Sequence, residues 1–336
     1  MKTYDINKLI KQSEKECMNT DSVYMSEKAR RRNADPVKLK QLQEEVNFWV
    51  DVKHRTDSLP VGKIETTHAK STTGGKIDLQ DVTLIIPVKI DSDDRLKNFN
   101  ATYNYLVENL NTNIIIYEMD TTSRIGNLVG SHTTYMFEKN DTSVFHRTRY
   151  LNEMLNLSKT PVTVNYDIDV VLPVESYVLA RDRIVKDSME LVYPYGHGSF
   201  QHKVNNNGRN KIIDTKSLDT LVDSDFDDKY FLSWFGHCQF FDTNSYKKYG
   251  WENEYFVSYG PEDFERYTRF VNLNRKVEHL NNNVVYHLEH SRGNNSNSQN
   301  SFFSQNERLY NILKSYSLEK LEEYYNNVEY TKKYSG

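Results

Sequence analysis

Three uninterrupted β-favouring runs constrain this chain most: Val82-Thr83-Leu84-Ile85-Ile86-Pro87-Val88, Asn113-Ile114-Ile115-Ile116-Tyr117-Glu118 and Val162-Thr163-Val164-Asn165-Tyr166. None alternates apolar with polar residues, so each must bury both faces, as strands of a parallel sheet do. Helix-like stretches separate them, from about Asp93 to Leu110 and from Val144 to Leu155. Strand, helix, strand at this spacing is a βαβ unit, which predicts an α/β fold with a mostly parallel central sheet flanked by helices. The longest apolar stretches fall far short of the about 18 to 20 residues that cross a bilayer. Met1-Lys2-Thr3-Tyr4-Asp5 opens no secretory leader. The expectation is a cytoplasmic chain without a membrane span, which leaves peripheral membrane association open.

Residues 1–78 are charged and lack β-branched runs. Asp35-Pro36 reads as a helix start, and Leu39, Leu42, Val46, Trp49 and Val50 then recur at helical spacing. Gly62 to Gly75, rich in Thr, Lys, Ser and Gly, reads as a linker. The division expected is an N-terminal helical extension with linker over 1–78, a main domain over 79–300 and a C-terminal helical segment over 301–336, where Leu309, Ile312, Leu313, Tyr316, Leu318 and Leu321 keep rough helical register. With 43 Lys and Arg against 47 Asp and Glu, the net charge is −4, so no nucleic-acid partner is expected. Cys17 and Cys238 are too few for a disulfide framework or a thiolate zinc site. Oligomeric state is not legible.

No Gly-x-Gly-x-x-Gly follows the first strand and no Gly-x-x-x-x-Gly-Lys occurs, so a bound phosphate would need another counter-charge. Asp167-Ile168-Asp169 follows a buried run, at the strand end where open α/β sheets bind ligands. There two carboxylates could hold a divalent cation against a diphosphate, although a solvated turn would read the same way. Val284-Val285-Tyr286 leads into His287-Leu288-Glu289-His290-Ser291-Arg292, whose imidazoles could reach one metal or simply lie at the surface. Tyr259-Gly260-Pro261-Glu262-Asp263 delivers an acidic pair onto a helix start, which the helix dipole alone would favour.

Together with Phe235-Gly236-His237-Cys238-Gln239-Phe240-Phe241 and Tyr249-Gly250-Trp251, these motifs resemble, over residues 81–295, the catalytic core of GT-A fold glycosyltransferases. The likeness is to the β-1,4-galactosyltransferase-like and chondroitin-polymerase-like branch (family 2/7 type). The resemblance implies a nucleotide-diphospho-sugar transferase fold and a polysaccharide-building hexosyltransferase that uses a UDP-sugar of galactose, N-acetylgalactosamine or glucose type, with a glycan or other hydroxyl acceptor. It implies Mn²⁺ or another divalent cation on Asp169 and His290, with His287 as a second imidazole where the animal enzymes have Met. Asp167 would lie by the nucleotide. Asp263 would be the general base and Glu262 would hold the acceptor, with Tyr259 and Gly260 lining its subsite. Pro87, Val88, Arg95, Glu118 and Arg147 would form the donor pocket. Pro261 stands where the family has a second Gly, which argues against a large loop closure.

By the same resemblance the displacement is single and the anomeric centre inverts, a retaining outcome staying open. Two other readings use the same residues. A metal-dependent phosphoryl or nucleotidyl transferase would need no acceptor sugar. An inactive carbohydrate-binding module would account for the 24 tyrosines, but has no use for intact Asp169, Asp263 and His290.

Overall fold

A computed structural model describes residues 36–67, 76–291, 293 and 297–334. The first part of the extension with Cys17, most of the predicted linker (68–75) and Arg292 lie outside the described residues. The chain divides into two compact units, one joining the segment up to Leu59 with that from Tyr316 onward, the other running from Pro60 to Ser315.

In the first unit, helix α1 (Pro36–Asp57) starts at the predicted proline and buries Phe48, Trp49 and Val52. Trp49 packs on Tyr324 of the helix Leu318–Tyr325 with ring centroids 5.6 Å apart, and Lys53 Nζ donates to Glu329 Oε2 at 2.6 Å.

The second unit is mixed α/β with an eight-stranded sheet. Strand β1 (Lys63–Thr67) pairs antiparallel with β4 (Thr133–Lys139), which corrects the linker expected there. Ile64, Thr66 and Thr67 are β-branched, and the open edge of β4 offers unpaired N–H and C=O groups to them. β2 (Ile77–Val88), helix α2 (Asp93–Asn109) and β3 (Leu110–Asp120) form the expected βαβ unit, Ile85 lying opposite Ile115. Helix α3 (Arg147–Leu157) returns the chain to β5 (Val162–Tyr166), parallel to β2. The parallel order β4-β3-β2-β5 is the centre, and its three predicted runs are buried on both faces as read. Beyond it the sheet is not parallel throughout: β10 (Cys238–Asp242) runs antiparallel to β5 and to β7 (Leu191–Tyr193), and β11 (Val277–His279) closes the edge parallel to β7.

A second sheet has the order β6 (Val170–Val171), β12 (Val285–Leu288), β8 (Gly198–Val204), β9 (Phe226–Ser233). One face of α2 ties it down. Asn98 Nδ2 donates to the Leu288 carbonyl at 2.8 Å, Thr102 Oγ1 to that of Val170 at 3.3 Å, and Tyr105 OH to that of Leu172 at 2.8 Å. Positions 98, 102 and 105 share a helix face, so one amphipathic stripe holds β6 and β12 together. Ser92 caps α2 by accepting from the Arg95 N–H at 3.2 Å, a contribution of about 1 kcal/mol.

Helices α4 (Val174–Val185), α5 (Asn206–Thr215), α6 (Thr243–Lys248), α7 (Glu262–Asn272) and α8 (Phe303–Lys314) complete this unit. The predicted C-terminal helical register is broken, since Ser317 caps a new helix by accepting from the Lys320 N–H at 3.3 Å. No helix among the described residues is long and apolar enough to cross a membrane.

Buried Asn306 of α8 donates to the carbonyls of Val257 at 2.7 Å and Tyr259 at 2.9 Å, pinning the loop before α7. Asn306→Ala strands both carbonyls, and chemical denaturation should show a loss of about 2 to 4 kcal/mol. A loss under about 0.5 kcal/mol would mean that the loop holds itself.

Candidate active site

The strand ends of both sheets and the start of α7 enclose a cavity of about 260 Å³. Asp169 stands between β5 and β6 and is joined to β12 twice. The Leu288 N–H donates to the Asp169 carbonyl at 2.7 Å, and β12 pairs with β6 so that His287 faces Val170. This brings residues 118 positions apart in sequence, Asp169 and His287, to one point. Ligand atoms of Asp169, His287 and His290 lie within 4.8 Å of one another.

The donor set fits a divalent cation. His287 Nδ1 pairs with Glu289 Oε1 at 2.8 Å and His290 Nδ1 with the Ser291 carbonyl at 2.7 Å, arrangements that aim each Nε2 away from its partner as a ligand. His290 Nε2 lies 2.9 Å from Asp169 Oδ2, an ion pair when the imidazole carries a second proton. Burial opposes that proton, and Asp169 outweighs burial, leaving His290 with a raised pKa. Asp169 is held well below the usual carboxylate range, because His290, His287 and Arg95 together offset its burial. One carboxylate and two imidazoles suit Mn²⁺ or a similar first-row ion.

Across the cavity, Asp263 and Glu262 occupy the first turn of α7. Arg147, at the start of α3, joins the two halves: Nη2 donates to Asp167 Oδ1 at 2.6 Å and Nη1 to Asp263 Oδ1 at 3.4 Å. Arg266 Nη1 also donates to Asp263 Oδ1, at 2.7 Å. Burial would raise the Asp263 pKa, but the two arginines pull it below the ordinary value. Glu262 goes the other way, pushed up to about 8 by burial and by the charge of Asp263. Its Oε2 is buried without a hydrogen-bond partner among the described residues.

Pro87, Arg95, Arg147, Asp167 and Tyr259 line this cavity beside the cluster of Asp169, His287 and His290 and the acidic pair. Three predicted residues are not brought to it. Glu118 is fully buried, its carboxylate accepting from the Arg124 N–H at 2.7 Å and from Tyr135 OH. Val88 is buried in the core. Gly260 serves close approach instead, since a Cβ there would lie 2.6 Å from Asn306. Sequence reasoning missed Lys89, Asp91, His237 and Ser258, which also line the cavity. Asp91 carried a signal, as it stands four residues before Arg95 and pairs with its Nε at 3.1 Å. His237 and Ser258 carried none, because their left-handed backbone (φ 65° and 57°) is invisible in residue type.

No protein-family model and no curated protein matches the chain. Among solved structures it is similar to the catalytic domain of Drosophila β1,4-galactosyltransferase 7 in complex with xylobiose, at 11% identity and TM-score 0.37 over 64% of this chain and 71% of that one. It is similar to the mannosyltransferase PcManGT from Pyrobaculum calidifontis with GDP-Man and Mn²⁺, at 13% identity and TM-score 0.41 over 74% of this chain and 65% of the other. A third is GalNAc-T7 with UDP, GalNAc and Mn²⁺, at 9% identity and TM-score 0.45 over 63% of this chain and 44% of the other. All three TM-scores lie below 0.5, and the functional reading is built from the side chains of the cavity.

Glu289→Gln should weaken Mn²⁺ binding by about 10- to 100-fold in isothermal titration calorimetry, by freeing the His287 ring. His290→Ala should weaken it at least as much, and wild-type affinity in His290→Ala would remove that residue from the donor set.

Proposed function

We propose that this protein is a metal-dependent GT-A glycosyltransferase, moving a hexosyl group from a UDP-sugar of galactose, N-acetylgalactosamine or glucose type to a hydroxyl of a glycan or other acceptor, with inversion. One observation carries the reading: a single cavity holds a carboxylate and two imidazoles close enough to share a cation and, apart from them, the ion-paired carboxylate of Asp263 beside Glu262, whose pKa burial pushes up to about 8. The first suits a diphosphate leaving group and the second suits activation of a hydroxyl.

Asp169, His287 and His290 would hold a divalent cation, which would supply the Lewis acidity that a departing diphosphate needs. The cationic side chains of Lys89, Arg95 and Arg147 also line the cavity and replace the missing glycine cradle as counter-charge. Glu262, neutral below about pH 8, donates its proton as a hydrogen bond to an acceptor oxygen. Asp263, ionised, accepts the proton of the attacking hydroxyl. The acceptor oxygen then bonds to the anomeric carbon as the carbon–phosphate-oxygen bond breaks, its electron pair leaving on the diphosphate. One displacement inverts the centre, as in inverting glycoside hydrolysis. Polysaccharide synthesis in the cytoplasm completes this reading, supported by the sparse cysteine content.

The test is a panel of nucleotide sugars with Mn²⁺ and hydroxyl acceptors, followed by nucleotide release with and without EDTA. Turnover of one or two UDP-sugars that EDTA abolishes is expected, and turnover indifferent to the chelator would sink the reading. Asp263→Asn should keep donor affinity while kcat falls by about 100-fold or more.

The raised Glu262 pKa gives a pH signature. Its neutral form persists below about 8 and is lost as pH rises through that value, so the acceptor KM should climb on the alkaline side. Glu262→Gln, neutral throughout, should flatten that limb; an unchanged alkaline limb would assign it to another group.

A further inference from the structure

We infer that Arg266 is the positioning residue of the proposed base: anchored by Glu252, it fixes Oδ1 of Asp263 and leaves Oδ2, beside Gly236, to take the acceptor proton. This rests on the reading of Asp263 as base and goes beyond it in naming the working oxygen and what holds it.

Arg266 is wholly buried and follows Asp263 by one helical turn. Its Nε and Nη2 donate to the two oxygens of Glu252 at 2.6 and 2.5 Å, a bidentate pair. Its Nη1 donates to Asp263 Oδ1 at 2.7 Å and to Gln239 Oε1 at 3.2 Å. Glu252 is locked in turn by Tyr246 OH and by Asn165 Nδ2, the latter at 3.3 Å. The guanidinium cannot swing without breaking that set, so it is a fixed fork.

Asp263 uses its two oxygens unequally. Both arginines reach Oδ1, whereas Oδ2 accepts no hydrogen bond among the described residues. A Cβ at Gly236 would lie 3.1 Å from Oδ2, so the glycine keeps the space over that oxygen clear. Turning the carboxylate to exchange its oxygens would break a charge-assisted bond, which opposes the rotation by about 1.5 to 3 kcal/mol. A base so held presents lone pairs in one direction, which is the geometric requirement for proton transfer in a single displacement.

The groups facing Asp263 are Arg147 from α3, Arg266 and Glu262 from α7, Asp167 after β5, His237 before β10, Tyr193 on β7 and Tyr195 just after it. Loss of the Arg266 charge therefore raises the Asp263 pKa, while a role in packing alone leaves it where it is.

The test uses the full chain at saturating Mn²⁺ with the UDP-sugar that it turns over. The double variant Glu252→Gln with Arg266→Met removes both buried charges together and strands neither. Arg266→Lys keeps the charge but loses the fork. The double variant should lose about tenfold or more in kcat, keep the donor KM within about twofold, and show an acidic limb of kcat about one pH unit or more above wild type. Arg266→Lys should lose kcat with a smaller displacement of the limb. A folded double variant whose limb stays at the wild-type position overturns the inference. Gly236→Ala, which leaves both arginines in place and sets a Cβ 3.1 Å from Oδ2, decides the matter should the others fail to fold: kcat about tenfold lower with donor KM kept is expected, and wild-type kcat overturns it. Full activity in Asp263→Asn would instead remove the base itself, a different failure.

Discussion

The bond from the Leu288 N–H to the Asp169 carbonyl, 2.7 Å long, is the contact on which the site depends. It sets β12 against the turn that follows β5, so the backbone rather than the side chains brings an aspartate and two histidines into one cluster. Because strand side chains alternate, a one-residue slip of β12 would turn His287 away. The stripe Asn98, Thr102 and Tyr105 of α2 blocks that slip by donating to carbonyls on and beside β6 and β12. The donor set thus inherits the rigidity of a helix packed on a sheet, which a metal site needs to keep its geometry.

Charge balance is the second constraint. Asp167, Asp169, Glu262 and Asp263 gather around one cavity with Arg95 and Arg147, while Arg266 stands behind it with Glu252. An unpaired charge at such depth costs several kcal/mol, and the structure avoids it by sharing: Arg147 serves Asp167 and Asp263, and Arg266 serves Glu252 and Asp263. Glu262 is the member left over, its nearest guanidinium contact being 3.8 Å from Arg147, and burial pushes its pKa up to about 8. Two adjacent carboxylates are thereby pushed in opposite directions, Glu262 up and Asp263 down.

Much of this was legible in the sequence because it depends on residue type in register. The three strands announced themselves by unbroken apolar runs, and Asp169, Asp263, His287 and His290 by their place at element ends. Glu118 was misplaced because a strand end fixes where the backbone goes and not which way the last side chain turns; Tyr135 and the Arg124 N–H, both distant in sequence from the motif, captured its carboxylate. The strand Lys63–Thr67 was hidden inside a Thr-rich and Gly-rich stretch, since only the free edge of β4 makes it a strand. Arg266 looked like one of many helix charges. Its role comes from Glu252, which reaches it from the loop before α7, and no local pattern reports such a meeting.

The two walls of the cavity differ in how they are held, and the difference bears on how a substrate could enter. The wall before α7 is fixed at both ends: Asn306 grips the carbonyls of Val257 and Tyr259, and Pro261 precedes a helix whose Glu265 N–H returns to its carbonyl at 2.9 Å. Proline there has a locked φ, and Asn306 packs where a Cβ on Gly260 would lie. Ser258 and His237 hold left-handed backbone on the same cavity, strain of about 1 to 3 kcal/mol each that only a rigid surround maintains. A cavity wall built this way is already shaped, which lowers the ordering cost of binding.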